Sequence, residues 1–207
     1  MAGVAKERLK SPRVRLFVAL DLPEEMREGI AAWGREALVD PALRPVAPES
    51  LHVTLAFLGQ RPEMEIERIA AVVADNAGPA PWVELLDPVA RPPRGRSRLF
   101  ALPALSPGTE ALQAGVSHGL EVAGLYQSEK RPFWPHVTVA RVRPEARGSK
   151  RPARVERPPG ELPSSLSEPF LGVRLGLYRS ELKPTGARYV PLAQIKLPGA
   201  GGSEAVR

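Results

Sequence analysis

The amino-acid sequence predicts an α+β fold in which antiparallel strands are interleaved with three helices. Two observations indicate this class. Runs rich in β-branched and aromatic residues alternate with stretches whose apolar residues recur at helical spacing, and connections rich in Pro and Gly separate them. The last two strand-like runs follow each other as a hairpin, which is typical of a sheet with antiparallel strands. With 207 residues, 43% of them hydrophobic, the chain is long enough for one domain with its own core.

The first half of the chain is predicted to contain two strands and two helices. Arg13–Asp21 is a mostly apolar run suited to a buried strand. A helix runs from Pro23 to about Leu38, because Pro is tolerated in a first turn and the acidic residues after it suit the positive end of the helix dipole. A proline-marked loop leads to a strand at Ser50–Gly59, and a second helix is predicted over Pro62–Asn76. The residues expected to be buried share one face of this helix: Met64, Ile66, Ile69, Val72 and Val73.

The second half adds the third helix and further strands. Trp82–Ala90 and Arg98–Leu102 are predicted to pair as a hairpin across the arginine-rich loop between them. Thr109–Leu125 has helical spacing, and Phe133–Val142 is again an apolar strand.

A long polar loop over residues 143–169 leads to the closing hairpin. The strands of this hairpin are predicted at Phe170–Arg179 and Arg188–Leu197, with a turn near Pro184. We expect three parts along the chain, a flexible extension, a single domain and a disordered tail: 1–12, 13–198 and 199–207.

Composition narrows the classes of protein that the chain can be. Its 29 Lys and Arg against 23 Asp and Glu give a formal net charge of +6, which favours polyanionic partners without requiring them. There are no cysteines, so disulfides and thiolate metal sites are excluded. No apolar run is long enough to span a membrane, and the first dozen residues lack the apolar core of a signal peptide. We therefore expect a cytoplasmic protein with no membrane association.

The candidate chemistry lies in a pattern that occurs twice. The chain has only three histidines, and two of them are followed two positions later by threonine: His52-Val53-Thr54 and His136-Val137-Thr138. Threonine is rare in this chain, so the spacing arises by chance for roughly one histidine in fifty. Two copies in similar apolar strands therefore indicate a shared function.

Strand geometry gives the pattern a chemical meaning. Side chains alternate along a strand, so the His and Thr of each copy share one face while the intervening Val points to the other. Two such strands facing one cleft would place two imidazoles and two hydroxyls around one small anion. Phosphoryl transfer needs this set: a base for the attacking oxygen, an acid for the leaving oxygen, and donors for the equatorial oxygens.

Two other interpretations compete with this one. Either pair, taken alone, could be an ordinary half-exposed pair on a strand. A metal site would need a further ligand, usually His, Asp or Glu at helical or turn spacing. The remaining histidine, His118, lies in the middle of the third predicted helix, and we interpret it as a structural or surface residue. We therefore predict no metal and no cofactor.

The two motifs and their flanks resemble the two-histidine phosphoesterase superfamily, and within it the RNA 2',3'-cyclic phosphodiesterases, also called 2'-5' RNA ligases. A double His-hydrophobic-Thr-hydrophobic signature defines that superfamily. The matching stretches run in the family's order and cover most of residues 13–197: Arg15–Pro23, Leu51–Gly59, Arg131–Arg141 and Leu177–Leu192.

The resemblance implies a bilobed α+β fold with two antiparallel sheets, pseudo-two-fold symmetry, outer helices and a central cleft to which each lobe contributes one motif strand. It also implies that His52 is the proton donor and His136 the proton acceptor, and that Thr54 and Thr138 bind phosphate. Arg141 matches the arginine that ends the family's second motif. This arginine is either a phosphate ligand or a solvated cap at the strand edge.

The implied activity is metal-independent hydrolysis of the 2',3'-cyclic phosphate at an RNA end to a 2'-phosphomonoester, with 2'-5' ligation as the reverse reaction. The implied partner is such an RNA, or a nucleotide, and we expect a monomer. Two alternatives stay open: a phosphodiesterase on nucleotide-sized cyclic phosphates, and a non-catalytic module that binds RNA or nucleotides. The intact motifs argue against the module, because binding needs no matched acid and base. Phe133 and Trp134, just before the second motif, either stack on a base or plug the start of the strand.

Overall fold

The computed structural model describes residues 12–183 and 186–199, without the side chains of residues 182, 183 and 186. Apart from Pro12 and Gly199, the predicted N-terminal extension and C-terminal tail lie outside the described residues, as does the turn at Pro184.

The described residues contain ten strands. In chain order they are β1 (Arg13–Asp21), β2 (Leu43–Pro45), β3 (His52–Pro62), β4 (Trp82–Leu85), β5 (Val89–Arg91), β6 (Leu99–Leu105), β7 (His136–Val142), β8 (Phe170–Leu171), β9 (Arg174–Lys183) and β10 (Gly186–Lys196). All the pairings are antiparallel, and the sheet runs β10–β9–β1–β3–β7–β6–β4–β8, with β2 added to β7 and β5 to β6.

Four helices accompany the sheet in the part of the chain that the structure describes. They are α1 (Glu24–Ala37), α2 (Ile66–Asp75), α3 (Pro107–Val122) and the single turn α4 (Ser164–Ser167), with 3-10 turns at Pro48–Ser50 and Glu63–Glu65. The helix α2 packs on β9 and β10, and α3 packs on β3 and β4. Within these residues, no helix combines the length and apolarity that crossing a membrane requires.

The centre of the sheet is the meeting of the two motif strands. The register of β3 and β7 contains one pair, Val53 opposite Val137, so each motif's middle residue lies across from the other's. Since β1 flanks β3 and β6 flanks β7, an approximate two-fold axis passes between these valines. The structure confirms the predicted α+β class with antiparallel strands. The two sheets that the resemblance implies are joined edge to edge here, into one curled sheet with two lobes.

The first strand and the first helix form where the sequence predicts them, and the burial of the strand explains its apolar pattern. Arg13–Asp21 forms β1 with the predicted bounds, and its last six residues are all buried, as befits a central strand covered on both faces. The first helix agrees to within one residue at each end. Ser106 caps α3, its hydroxyl oxygen accepting a hydrogen bond from the Thr109 amide at 3.0 Å.

Three sequence predictions need correction. Met64 was expected in the buried stripe of the second helix, but it is 79% exposed, because the chain forms a 3-10 turn there and α2 begins only at Ile66. The loop predicted before the first motif contains β2, which pairs with β7. The run Trp82–Ala90 pairs with β6 as predicted, but it is broken into two strands, β4 and β5, instead of one.

The long connection over residues 143–169 is held by carboxylates of other elements. Asp40 accepts hydrogen bonds from the amides of Glu156 and Arg157, both at 2.8 Å. Asp87 accepts one from the amide of Leu162, also at 2.8 Å, and the Leu162 side chain is buried. These contacts tie the connection to the loop between α1 and β2 and to the loop between β4 and β5.

Candidate active site

A cleft of about 370 Å³ opens over the junction of β3 and β7. All five residues singled out from the sequence line it: His52, Thr54, His136, Thr138 and Arg141. The other lining residues come from β1, β2, β3, β9, β10 and the segment between β2 and β3: Arg15, Phe17, Arg44, Val46, Ser50, Phe57, Ser180, Ala187 and Tyr189. No carboxylate is among the described residues that line the cleft, so its charge is entirely positive.

Strand alternation presents the motif side chains as predicted. Val53 and Val137 are fully buried and face away from the cleft. The flanking His and Thr residues are half-buried and line the cleft. The rigid, apolar anchor of each motif is therefore the valine, and the sheet pairing between the two valines fixes the spacing of the two halves.

Each imidazole is oriented by the same backbone contact. The Nδ1 atom of His52 lies 2.8 Å from the carbonyl oxygen of Ser50, and Nδ1 of His136 lies 2.8 Å from that of Trp134. A carbonyl only accepts, so Nδ1 carries the proton in both neutral rings and Nε2 is left for chemistry. The Nε2 atom of His52 is 3.0 Å from the Thr54 hydroxyl, which therefore donates to it in the neutral state.

The ring faces of the two histidines have different neighbours. Phe17 stacks on His52 with a centroid distance of 5.0 Å, and Tyr189 meets the ring edge-on at 5.2 Å. Trp134 stacks on His136 at 4.1 Å. The Arg91 guanidinium lies 3.9 Å from the centroid of the same indole.

Arg91 and His136 therefore both pack against the indole of Trp134. Trp134 also lines the groove next to the cleft, so its stacking on a base stays a prediction. Phe133 packs against the hydrophobic core. Both aromatic residues thus have packing contacts, and both also line the neighbouring groove.

Burial controls the protonation of the two imidazoles. Desolvation lowers the pKa of His52 to about 4, and the positive charges of His136 and Arg141 act in the same direction. Desolvation also lowers the pKa of His136, assisted by the charges of Arg91 and Arg141. Both imidazoles are therefore neutral in the free protein at neutral pH, with Nε2 able to accept a proton.

Of the two remaining candidates from the sequence, Arg141 lies in the cleft and His118 lies outside it. Arg141 is close enough to both histidines for its charge to act on their pKa values, so it belongs to the site. His118 lies on α3 and lines a neighbouring groove instead of the cleft. Within the described residues, no three His, Cys, Asp or Glu side chains are grouped closely enough to hold a metal ion.

Sequence reasoning missed the cleft-lining residues Phe17, Arg44 and Tyr189, and it missed the contact of Arg91 with Trp134. None belongs to a recurring motif, and each reaches the site from a different strand. The signal for Phe17 was present in the apolar run of β1, but that run did not indicate which residue would face the cleft.

Comparison with known proteins places this geometry in context. The family model of the 2'-5' RNA ligase superfamily matches residues 22–173. A Thermus thermophilus protein named RNA 2',3'-cyclic phosphodiesterase is 35% identical over 198 residues, covering 92% of this chain and 94% of the relative. The Escherichia coli protein of the same name is 33% identical over 180 residues, covering 86% and 93%.

Solved structures of similar proteins share the fold of this chain over most of its length. A Thermus thermophilus crystal structure has a TM-score of 0.73 at 33% identity, covering 89% of this chain and 98% of that one. Escherichia coli LigT complexed with 3'-AMP has a TM-score of 0.69 at 27% identity, covering 90% and 99%.

Proposed function

The chain belongs to the 2'-5' RNA ligase superfamily, and on this premise we propose that it opens 2',3'-cyclic phosphates at RNA ends to 2'-phosphomonoesters by paired imidazole catalysis. It is a hydrolase of the cyclic phosphodiesterase class, the class for which its relatives are named. One observation carries the mechanism. Two imidazoles, each fixed by a backbone carbonyl, lie in one cleft that contains no carboxylate among its described residues.

The proposed reaction is an in-line displacement at phosphorus. Nε2 of His136 accepts a proton from water, and the water oxygen forms a bond to phosphorus. The bond from phosphorus to the 3'-oxygen breaks, its electron pair stays on that oxygen, and His52 donates a proton to it from Nε2. The products are the 2'-phosphomonoester and a free 3'-hydroxyl, and the two histidines exchange protons with solvent before the next turnover.

This scheme requires His52 to be protonated when the substrate is bound, although burial keeps it neutral in the free protein. The cyclic phosphate carries a negative charge, and an adjacent opposite charge favours the imidazolium form. Substrate binding is therefore expected to bring a proton onto His52. The acid would form only when there is an ester to cleave.

The hydroxyls and Arg141 have the complementary task of holding the phosphate oxygens. Thr54 and Thr138 lie beside the imidazoles on the same face, where hydroxyl donors can contact the equatorial oxygens as negative charge grows. Thr54 donates to His52 in the free protein, so it must turn to the phosphate when His52 becomes protonated. Arg141 adds a guanidinium that suits two phosphate oxygens at once.

The same site supports the reverse reaction. If the 5'-hydroxyl of a second RNA replaces water, His136 accepts its proton and a 2'-5' linkage forms, since each step is reversible. Every group in the scheme comes from one chain, so we propose that a monomer acts on an RNA end.

The experiment is an assay of product identity. RNA ending in a 2',3'-cyclic phosphate is incubated with the protein in EDTA, and the phosphomonoester isomer is identified. We expect the 2'-isomer at an undiminished rate, because no step involves a metal. Formation of the 3'-isomer would contradict the proposed leaving group, and loss of activity that one divalent ion restores would contradict the metal-free mechanism.

A further inference from the structure

Arg44 faces Arg141 across the pairing of two strands. In the register of β2 with β7, Arg44 lies opposite Arg141, and both side chains line the cleft. Like charges directly opposite each other in a sheet destabilise it. Neither arginine forms an ion pair with a described residue.

One other pair of neighbouring arginines in the described residues is bridged by a carboxylate. Glu145 accepts from Arg96 at 2.9 Å and lies 3.6 Å from Arg151, so one carboxylate sits between two guanidinium groups. The Arg44–Arg141 pair has no such carboxylate among the described residues of the cleft. An anionic group of a bound substrate would balance the positive charge of this pair in the same way.

The position of Arg44 separates it from the scissile phosphate. The charge of Arg141 acts on both imidazoles, whereas Arg44 is not among the groups that shift either pKa. Arg44 belongs to the next strand, roughly 5 Å farther along the sheet. The cyclic phosphate carries a single charge and already has two hydroxyls and Arg141 to hold it. The additional guanidinium therefore suits a second phosphate.

We propose that Arg44 binds the phosphate on the 5' side of the terminal nucleotide, while Arg141 opposite it binds the scissile phosphate. In an RNA that ends in a cyclic phosphate, the phosphate at Arg44 is the one nearest to the scissile phosphate. The inference rests on the proposed function and names its substrate class: RNA ends and 5'-phosphorylated nucleotides are preferred over nucleoside cyclic phosphates.

Two substrates that differ in one group test the inference. Adenosine 2',3'-cyclic phosphate is compared with the same compound carrying a 5'-phosphate, and kcat/KM is measured for each. We expect the 5'-phosphate to raise kcat/KM by about tenfold or more, the size of a charge-assisted hydrogen bond. In Arg44→Met this ratio should fall to about one, and in Arg44→Lys it should be intermediate, since the charge remains and the guanidinium fork is lost.

Two control variants make the result specific. Arg35→Met removes an exposed arginine from the last turn of α1 and should keep the full ratio. Arg15→Met removes the arginine that lies over Phe57 in the same cleft, 4.6 Å from the ring centroid, and it should keep most of the ratio.

The outcomes separate this inference from the function on which it rests. A ratio near one in the unmodified protein, or an unchanged ratio in Arg44→Met, would overturn the second phosphate site alone. Loss of the ratio in Arg15→Met but not in Arg44→Met would also overturn it, because the second phosphate would then lie at Arg15. If neither compound is hydrolysed, the RNA of the product assay decides the outcome. Hydrolysis of that RNA would then overturn the inference alone, and no hydrolysis of it would overturn the proposed function as well.

Discussion

The His52 half and the His136 half of the cleft share a backbone geometry but differ in what packs on each imidazole. Both rings donate from Nδ1 to the carbonyl two residues earlier, at 2.8 Å in each case. His52 contacts the aromatic side chains of Phe17 and Tyr189, whereas His136 stacks on a tryptophan that also contacts the Arg91 guanidinium. The motif therefore fixes the tautomer, and residues outside the motif decide how readily each ring takes a proton.

The aromatic side chains that pack on the two imidazoles are also supported differently. Phe17 stacks on Tyr178 at 5.4 Å, and the Tyr178 hydroxyl donates to the buried carboxylate of Asp21 at 2.6 Å. Burial raises the pKa of Asp21, opposed by this hydrogen bond and by Arg174. The aromatic residues beside His52 thus contact a buried polar network, while the tryptophan beside His136 contacts the Arg91 guanidinium. Two halves related by an approximate two-fold axis are in this way made chemically unequal.

The largest expected effect comes from removing either imidazole. His52→Ala and His136→Ala should each lower the rate of cyclic phosphate hydrolysis by about 10²–10⁴, because each deletes one proton-transfer partner. Steady-state kinetics on the RNA substrate measures this loss. His118→Ala, on α3 outside the cleft, is the matched control and should retain its rate. A large loss in only one of the two cleft variants would mean that the halves do not act as a pair.

The threonines should contribute less. Thr54→Val and Thr138→Val keep the β-branched shape and remove only the hydroxyl, so we expect kcat to fall by about 10–1000-fold if these donors stabilise transition-state charge. Circular dichroism would check that the fold is retained. Full activity in both variants would show that the threonines serve only as strand residues.

The environments of the two rings can be compared directly by NMR titration. With only three histidines in the chain, single variants assign the imidazole signals. In the free protein His52 should titrate near pH 4, and His136 below the ordinary histidine value of about 6.5, because burial disfavours both cations. A nucleoside 2'-phosphate should raise the pKa of His52. Titration of His52 at or above the ordinary value in the free protein would refute this description of its surroundings.

The smallest expected effect comes from removing the Arg91 guanidinium that contacts Trp134. Since the charge of Arg91 lowers the pKa of His136, Arg91→Met should raise that pKa and change the rate by less than about tenfold. The pKa of His52 should not move. Arg98→Met, at the residue just before β6, is the control and should leave the pKa of His136 unchanged. If the pKa of His136 stays where it is in Arg91→Met, the stack has a packing role only.

The sequence was sufficient to predict the parts of the site that repeat. The His-x-Thr spacing placed four side chains on one face of two strands, and the continuous apolar run of β1 gave a central strand with its bounds. These features are local, because alternation and burial act over a few residues. The valine pair that joins the two motifs follows from them, although its register could only be seen in the structure.

The unequal surroundings of the two imidazoles could not be predicted, because they are assembled from distant segments. Tyr189 reaches His52 from β10, Arg91 reaches Trp134 from β5, and Arg44 comes from a three-residue strand inside a segment whose prolines indicated only a loop. Nothing in the neighbours of these residues along the chain indicates the cleft. Tertiary pairing alone brings them there, as it also decides that Met64 is exposed.

The central claim is that His52 is the acid and His136 the base, and leaving-group chemistry tests it most directly. A substrate with sulfur in the bridging 3' position leaves as a stable thiolate, so it hardly needs an acid but still needs a base to activate water. On this substrate His52→Ala should recover much of the rate that it loses on the natural ester, while His136→Ala should remain slow. Recovery of His136→Ala instead would reverse the two roles. Equal recovery in both variants would contradict paired acid–base catalysis and leave the histidines as electrostatic ligands of the phosphate.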